Sequence, residues 1–397
     1  MSVENPVFIP GPTNIPDRLL RAMDARTQDH RAPDVAARFS PLLQRLKKVF
    51  KTETGSVLTF PSSGTGGWEA ALSNTLSPGD KVLAASYGVF SDKWIAMCRK
   101  LKLDVQVVEC EWGTGIPAKE FEAVLSADTG QQIKAVLATH NETATGVLSD
   151  IGSVRNAMNA SGHPALLFVD GVSSIASMDF RMDEWGVDVA ITGSQKGLML
   201  AAGMTIIAVS PKAIAAAKTA ESTRFYFDIS EMIKANANGG YPYTPPLPLV
   251  NGLIESLNML LNEEGLDAVF ARHKRIAEGV RRAVSAWDMK LVANSPDLYS
   301  DSVSAIYVPD GFDSNALTDY AYERYGVSFG VGLGELNGKA FRIGHLGMLT
   351  EVQALSGLAT VEMAMKDLNF PIELGTGVAA AQEYYRKVSA SPICQTA

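Results

Sequence analysis

The chain has 397 residues and a net charge of −8, from 35 Lys and Arg against 43 Asp and Glu. Its residues are 46% hydrophobic and 20% charged, as in an ordinary globular protein, and its length exceeds one core, so two domains are expected. The negative balance speaks against nucleic acid or an anionic membrane as the main partner.

In chain order, the N-terminus carries Glu4 and Pro6 with no basic segment, which does not read as a secretory leader. Residues 56–60 read as a strand and 68–76 as a helix. Between them lies Pro61-Ser62-Ser63-Gly64-Thr65-Gly66-Gly67. Its glycines let the backbone approach a ligand closely, and free N–H groups with the Ser63 and Thr65 hydroxyls suit an anion. A flexible turn is the competing reading. No Gly-Lys-Ser/Thr follows, and Glu69 takes the last position of a would-be GxGxxG, which weighs against a nicotinamide dehydrogenase. Strands are expected at 81–85, 105–108, 134–139, 165–170, 187–190 and 205–209, separated by helix-period segments. That alternation predicts a mostly parallel sheet with helices on both faces.

Two strand ends carry chemistry. Residues 165–170 end at Asp170, and 187–190 lead into Ile191-Thr192-Gly193-Ser194-Gln195-Lys196-Gly197. Open α/β sheets place ligands at such ends. Taken singly, each residue would read as a surface charge or a cap. Lys196, however, is the only charged residue from Ala190 to Pro211, and a desolvated lysine is a usable nucleophile. An amine and a carboxylate so placed are what pyridoxal phosphate (PLP) requires: Lys196 forms the Schiff base, and Asp170 keeps the pyridine nitrogen protonated.

After the turn-rich 236–246, helices are expected at 249–262, 266–287, 314–325 and 350–368, with strands at 302–308 and 341–343, giving a smaller α+β domain. Arg342 is a lone charge between Phe341 and Ile343. His30 and His140 could border a substrate or be structural; His345 could line the pocket mouth, and His163 and His273 read as surface residues. No spacing suggests a metal. Residues 197–211 are too short to span a bilayer, and Cys98, Cys110 and Cys394 show no paired spacing, as suits a cytoplasmic protein. The tail 393–397 is no peroxisomal address.

Taken in order, Pro10-Gly11-Pro12-Thr13-Asn14, the Ser-Gly-Thr-Gly loop, His140-Asn141-Glu142-Thr143-Ala144-Thr145-Gly146, Val169-Asp170-Gly171-Val172-Ser173-Ser174, Gly193-Ser194-Gln195-Lys196-Gly197 and Phe341-Arg342-Ile343-Gly344 resemble the class V aminotransferases. Within that family they look most like the serine–glyoxylate and alanine–glyoxylate group. The resemblance implies PLP fold type I: a large domain with a seven-stranded, mostly parallel sheet and a smaller C-terminal α+β domain, here an arm at 1–20, then 21–265 and 266–397. It implies a homodimer, or a higher oligomer, with shared sites. Lys196 becomes the Schiff-base lysine and proton carrier, and Asp170 the partner of the pyridinium. Ser63, Gly64, Thr65 and Gln195 match phosphate-binding positions, and Tyr241 and Thr244 match residues that reach the neighbouring subunit's cofactor. Phe90 takes the place of a ring-stacking aromatic, often Trp in relatives, and Thr143 lies near the cofactor's phenolic oxygen. Arg342 matches the clamp on the substrate α-carboxylate, where a planar fork suits bidentate binding. Gly11 and Thr13 fall in the substrate-binding group. Ala201-Ala202 stands where relatives often carry proline.

The activity so implied is transfer of an amino group from a small L-amino acid, chiefly serine, to glyoxylate, giving glycine and hydroxypyruvate. Aspartate or alanine as donor is the alternative; aspartate would need a second cation, from Arg31 or Arg224. A cysteine desulfurase would need a cysteine before Arg342, and residues 330–339 have none. A phosphoserine aminotransferase would need further basic residues. A PLP-fold binding protein without turnover, or a Schiff-base aldolase without PLP, are the readings from other classes.

Overall fold

The structure, a computed structural model, describes residues 5–388, so Cys394 and the tail lie outside the described residues. Nine strands come first: β1 (Ser56–Ser62), β2 (Lys81–Ser86), β3 (Asp104–Glu109), β4 (Ile133–Thr139), β5 (Asn141–Glu142), β6 (Val147–Leu148), β7 (Leu166–Asp170), β8 (Val189–Gly193) and β9 (Gly203–Val209). Seven of them form one sheet in the order β1-β9-β8-β7-β4-β2-β3, while β5 and β6 make a two-residue ladder of their own. β9 is antiparallel to both neighbours and the other pairings are parallel, so one strand of the seven runs against the rest.

Helices cover both faces, beginning with α1 (Asp17–Met23), α2 (Val35–Phe50), α3 (Gly64–Thr75) and α4 (Val89–Lys100). The strand pleat divides the core. Leu167 and Val169 join Leu42, Leu46 and Phe50 on one face, and Leu166 and Phe168 join Trp68, Leu72 and Trp94 on the other. Every residue of β7 and β8 is buried, which is why these strands read as continuous apolar runs.

The C-terminal domain is built on a second sheet, β10 (Val303–Tyr307), β12 (Ala340–Gly344) and β11 (Gly330–Val331) in that spatial order, all antiparallel. Helices Leu266–Ala286, Ser314–Tyr325, Glu351–Asp367 and Thr376–Lys387 pack around it, burying Val280, Leu317, Phe341, Leu358 and Val361. The N-terminal arm reaches this domain: Phe8 lies in its core, its N–H bonds Ser328 O at 2.8 Å, and its carbonyl accepts from Gly344 N at 2.6 Å.

The expected elements are present, with three differences, the first being that the strand expected at 187–190 runs Val189–Gly193. α3 starts at Gly64, four residues before the expected start, because its glycines are held by packing: a Cβ on Gly64 would lie 2.5 Å from Val172 Cγ2. The helix expected at 249–262 is α-helical over Leu247–Asn258 and then takes a π-helical turn, Met259–Glu264. Among the described residues no helix is long and apolar enough to cross a membrane.

Candidate active site

Asp170 ends β7, and Lys196 follows the end of its neighbour β8 by three residues. β8 and β9 run in opposite directions, so a short turn joins them instead of a crossover helix. Lys196 sits in that turn. Ser194 closes it: its Oγ donates to Ala201 O at 2.7 Å and its carbonyl accepts from Leu200 N at 2.9 Å. The turn is therefore closed by Ser194, with Ala201-Ala202 in it.

Lys196 is 9% exposed and Asp170 4%. Burial, with the nearby Arg342 charge, pulls the Lys196 ammonium down to about 8 against the opposing pull of Asp170. Burial pushes Asp170 up to about 6, while Val172 N, donating at 2.9 Å, Trp68 and Lys196 favour its anion. The Trp68 indole N–H does so without closing a hydrogen bond of good geometry. The amine donates to Pro10 O in the N-terminal arm. Thr13 anchors that arm to the lysine turn, its N–H bonding Gln195 O at 3.2 Å and its hydroxyl Lys196 O at 3.4 Å.

Gly11 is where this close approach demands glycine. Its φ is +98°, and a Cβ there would lie 2.6 Å from Lys196 Cδ and Nζ. Gly11→Ala is expected to slow the reaction of Lys196 with PLP by about tenfold or more, given a strain of about 1–2 kcal/mol. An unchanged second-order rate, followed by visible absorbance, would refute that packing role.

The loop before α3 suits an anion. Ser63 gives its helix no side-chain cap, and Gly64, Thr65 and Gly66 N–H have no acceptor among the described residues. Three orphan donors at a helix start, with exposed Ser63 and Thr65 hydroxyls, are a cradle for phosphate. In the lysine turn, Gln195 Oε1 is buried without a partner among the described residues. An amine of lowered basicity, an acid on the adjacent strand end and an anion cradle at a helix start together fit PLP.

Arg342, on β12, is 6% exposed. Its Nε donates to Val331 O at 2.9 Å and its Nη1 to Thr143 O at 3.0 Å, and Nη2 has no partner among the described residues. Burial lowers it to about 10, and Glu142 opposes that. Thr143 Oγ1 donates to Ser173 Oγ at 2.7 Å. Phe90 opens α4, with Lys93 Nζ 5.4 Å from its ring centre. Tyr241 has its hydroxyl on Thr59 and its ring 4.7 Å from Phe39, while Thr244 is exposed.

The histidines correct several expectations. His163 and His273 are buried, not superficial: His163 bonds Asp128 Oδ2 at 3.2 Å and Ala165 N at 3.2 Å, and His273 bonds Val269 O at 2.8 Å and Gly347 N at 3.0 Å. His345 does not line a pocket mouth. It is 1% exposed, with both nitrogens engaged by Ser304 and Asp301. His140 packs between Phe180 and Trp185 with Nδ1 on Ser174 Oγ, and His30 Nε2 is buried without a partner. Arg224 donates to four main-chain carbonyls, those of Ser73, Ala217, Ala220 and Ser222, and Arg31 is exposed. Sequence reasoning missed Pro10 as the acceptor for the lysine and Glu142 as a buried acid. The signal for Glu142 was present, since it is the only Asp, Glu, Lys or Arg between Lys134 and Asp150.

Comparison with known proteins places this geometry. The profile of the family described as aminotransferase class V matches residues 9–333. The chain is 60% identical over 391 residues to an L-aspartate–glyoxylate aminotransferase of Paracoccus denitrificans, covering 98% of each. It is 53% identical to a serine–glyoxylate aminotransferase of Hyphomicrobium methylovorum, covering 98% of this chain and 96% of that one. The solved structure of pyridoxamine–pyruvate aminotransferase from Mesorhizobium loti superposes with a TM-score of 0.90 at 27% identity, covering 97% of this chain and 98% of that one.

Proposed function

We propose that this chain, which belongs to the class V aminotransferases, moves the amino group of a small L-amino acid, chiefly serine, to glyoxylate with PLP as cofactor. The observation that carries the reading is the meeting of Lys196, Asp170 and Arg342 in one buried site. Both relatives named above are glyoxylate aminotransferases, which supports the acceptor.

PLP, when bound, supplies an aldehyde for the amines and a pyridinium ring that withdraws electrons. Ser63, Gly64, Thr65 and Gln195 would hold its phosphate, Phe90 its ring face, Thr143 its phenolic side and Asp170 its ring nitrogen, where a buried anion keeps the proton in place. Lys196 Nζ would hold the cofactor at rest. Its neutral amine would also be the base that takes the proton from the donor Cα, which its lowered basicity favours near neutral pH. Arg342 binds the α-carboxylate of donor and acceptor alike and so fixes the Cα–H bond. Gly11 and Thr13 keep the arm pressed over the lysine.

The lysine's basicity gives a pH test. Below its folded value the amine is protonated and unreactive, with the neutral fraction falling tenfold per pH unit; above it the fraction saturates. The rate at which apoprotein captures PLP should rise up to about pH 8 and then level off. A rate still climbing through pH 9.5, as for an exposed lysine, would contradict the desolvated amine.

The donor has two readings. Arg342 offers one carboxylate clamp, and Arg224 is already committed to main-chain carbonyls, which supports a donor without a second charge. The 60% identity to an aspartate-using relative supports aspartate, whose side-chain carboxylate would then need Arg31 or a group from a second subunit. Initial rates with serine, aspartate and alanine at fixed glyoxylate decide between them, and no turnover with any would refute the function. We further propose a cytoplasmic homodimer or higher oligomer, divided as 1–20, 21–265 and 266–397. The adjacent exposed aromatics Phe225 and Tyr226, 94% and 42% exposed, support a covering partner. For Tyr241 to reach a second subunit's cofactor as Thr244 would, its hydroxyl would have to leave Thr59.

A further inference from the structure

Glu142 is completely buried, at 0% exposure, and no role for it follows from the reaction described above. Its carboxylate gathers backbone N–H groups from two separate segments. Oε2 accepts from Phe90 N at 3.1 Å and Ser91 N at 3.0 Å, in the first turn of α4, and Oε1 accepts from Ala144 N at 3.1 Å in its own turn. Room for it exists because residue 88 is glycine: a Cβ there would lie 2.3 Å from Glu142 Cγ and 2.8 Å from Oε2.

Each segment so tied carries a site residue. On one side, Phe90 is the ring-stacking candidate, and its own N–H is in the bond. On the other, Thr143 sits between Glu142 and Ala144, and its carbonyl takes the Arg342 Nη1 bond at 3.0 Å. The carboxylate also faces three ionisable groups on neighbouring elements: the attracting Arg342 on β12, the repelling Asp170 on β7 and the neutral Tyr87 hydroxyl ahead of α4. A buried acid held by three amide donors is an expensive arrangement unless the groups it fixes need fixing. A neutral residue could fill the space. A glutamine would leave one oxygen for donors from both segments, Phe90 N at 3.3 Å and Ala144 N at 3.1 Å, and would turn its NH2 towards the N–H groups that Oε2 now accepts.

We propose that Glu142 is a positioning residue for amino transfer, a brace that locks the ring-stacking Phe90 to the Thr143 carbonyl on which the Arg342 clamp rests. Through it, the surface that receives the cofactor ring and the fork that receives the substrate carboxylate keep one fixed relation. This inference rests on the aminotransferase reading for the roles of Phe90 and Arg342, and on the fold alone for the tie between the segments.

Three single variants of the full chain test it: Glu142→Gln, which keeps the shape and one acceptor oxygen; Glu142→Ala, which keeps neither; and Gly88→Ala, which crowds the carboxylate from outside. PLP affinity is read by titration of the visible circular dichroism, and KM and kcat with a fixed donor and glyoxylate. In Glu142→Gln, the dissociation constant of PLP and the KM of donor and glyoxylate are expected to rise together, by about three- to tenfold, with kcat within about threefold. Glu142→Ala should exceed this, and Gly88→Ala should reproduce it even if Glu142→Ala folds poorly. A Glu142→Gln and a Gly88→Ala protein with both quantities within twofold of wild type would overturn the brace. So would a rise in one quantity alone, because a brace must disturb both ends. Wild-type protein that binds PLP tightly but transfers no amino group refutes the proposed function and leaves the brace to be judged on PLP affinity.

Discussion

Lys196→Ala is expected to lower the rate of amino transfer by at least about 10⁴-fold, because general acid–base work alone contributes about 10²–10⁴ and the covalent hold on the cofactor is lost with it. The fold should survive. Lys196 is 9% exposed and its amine donates a hydrogen bond to a carbonyl, so removing it relieves a desolvated charge and leaves a small void between Gly11 and the turn. The anion cradle at the start of α3 is untouched, so PLP should still bind, reversibly and without the covalent chromophore. The check combines a rate assay, a thermal melt and an absorbance spectrum. A variant that transfers amino groups at the normal rate would refute the assignment, and one that fails to fold would show the lysine to be structural.

Arg342→Lys is expected to reduce kcat/KM by about 10²–10³ for donor and for glyoxylate, although charge is conserved. The guanidinium's nitrogens are divided: Nε serves Val331 O, Nη1 serves Thr143 O, and Nη2 is left for a ligand. An ammonium cannot hold two carbonyls in a fixed plane and still present a donor to a carboxylate. Each charge-assisted bond lost is worth about 1.5–3 kcal/mol, roughly ten- to a hundredfold. Because one clamp serves both half-reactions, both KM values should move in the same direction. A loss confined to one substrate would show that the other is held elsewhere.

How far the sequence reaches depends on what each residue's signal is. Lys196 and Asp170 were legible because a charge at the end of an all-apolar strand is costly to bury unless it meets a ligand or a partner, and β7 and β8 are buried throughout. Arg342 was legible for the same reason on β12. The start of α3 was misplaced because glycine has poor helix propensity, and only tertiary packing against Val172 and Thr205 makes three glycines helical there. His163, His273 and His345 were misjudged because a histidine's burial depends on partners distant in sequence, such as Asp128 and Ser304, which no local pattern reveals. Glu142 stood in a motif quoted for its neighbour Thr143, although its isolation among uncharged residues carried the signal that identified Lys196.

The N-terminal arm joins two parts of the site. Phe8 is stitched to Gly344, two residues beyond Arg342, and Pro10 takes the hydrogen of the Lys196 amine. A tether two residues long thus runs from beside Arg342 to the Lys196 amine. The position of Pro10 at that amine is therefore set by the C-terminal sheet, and a substitution that loosens the Phe8–Gly344 pairing would be felt at Lys196.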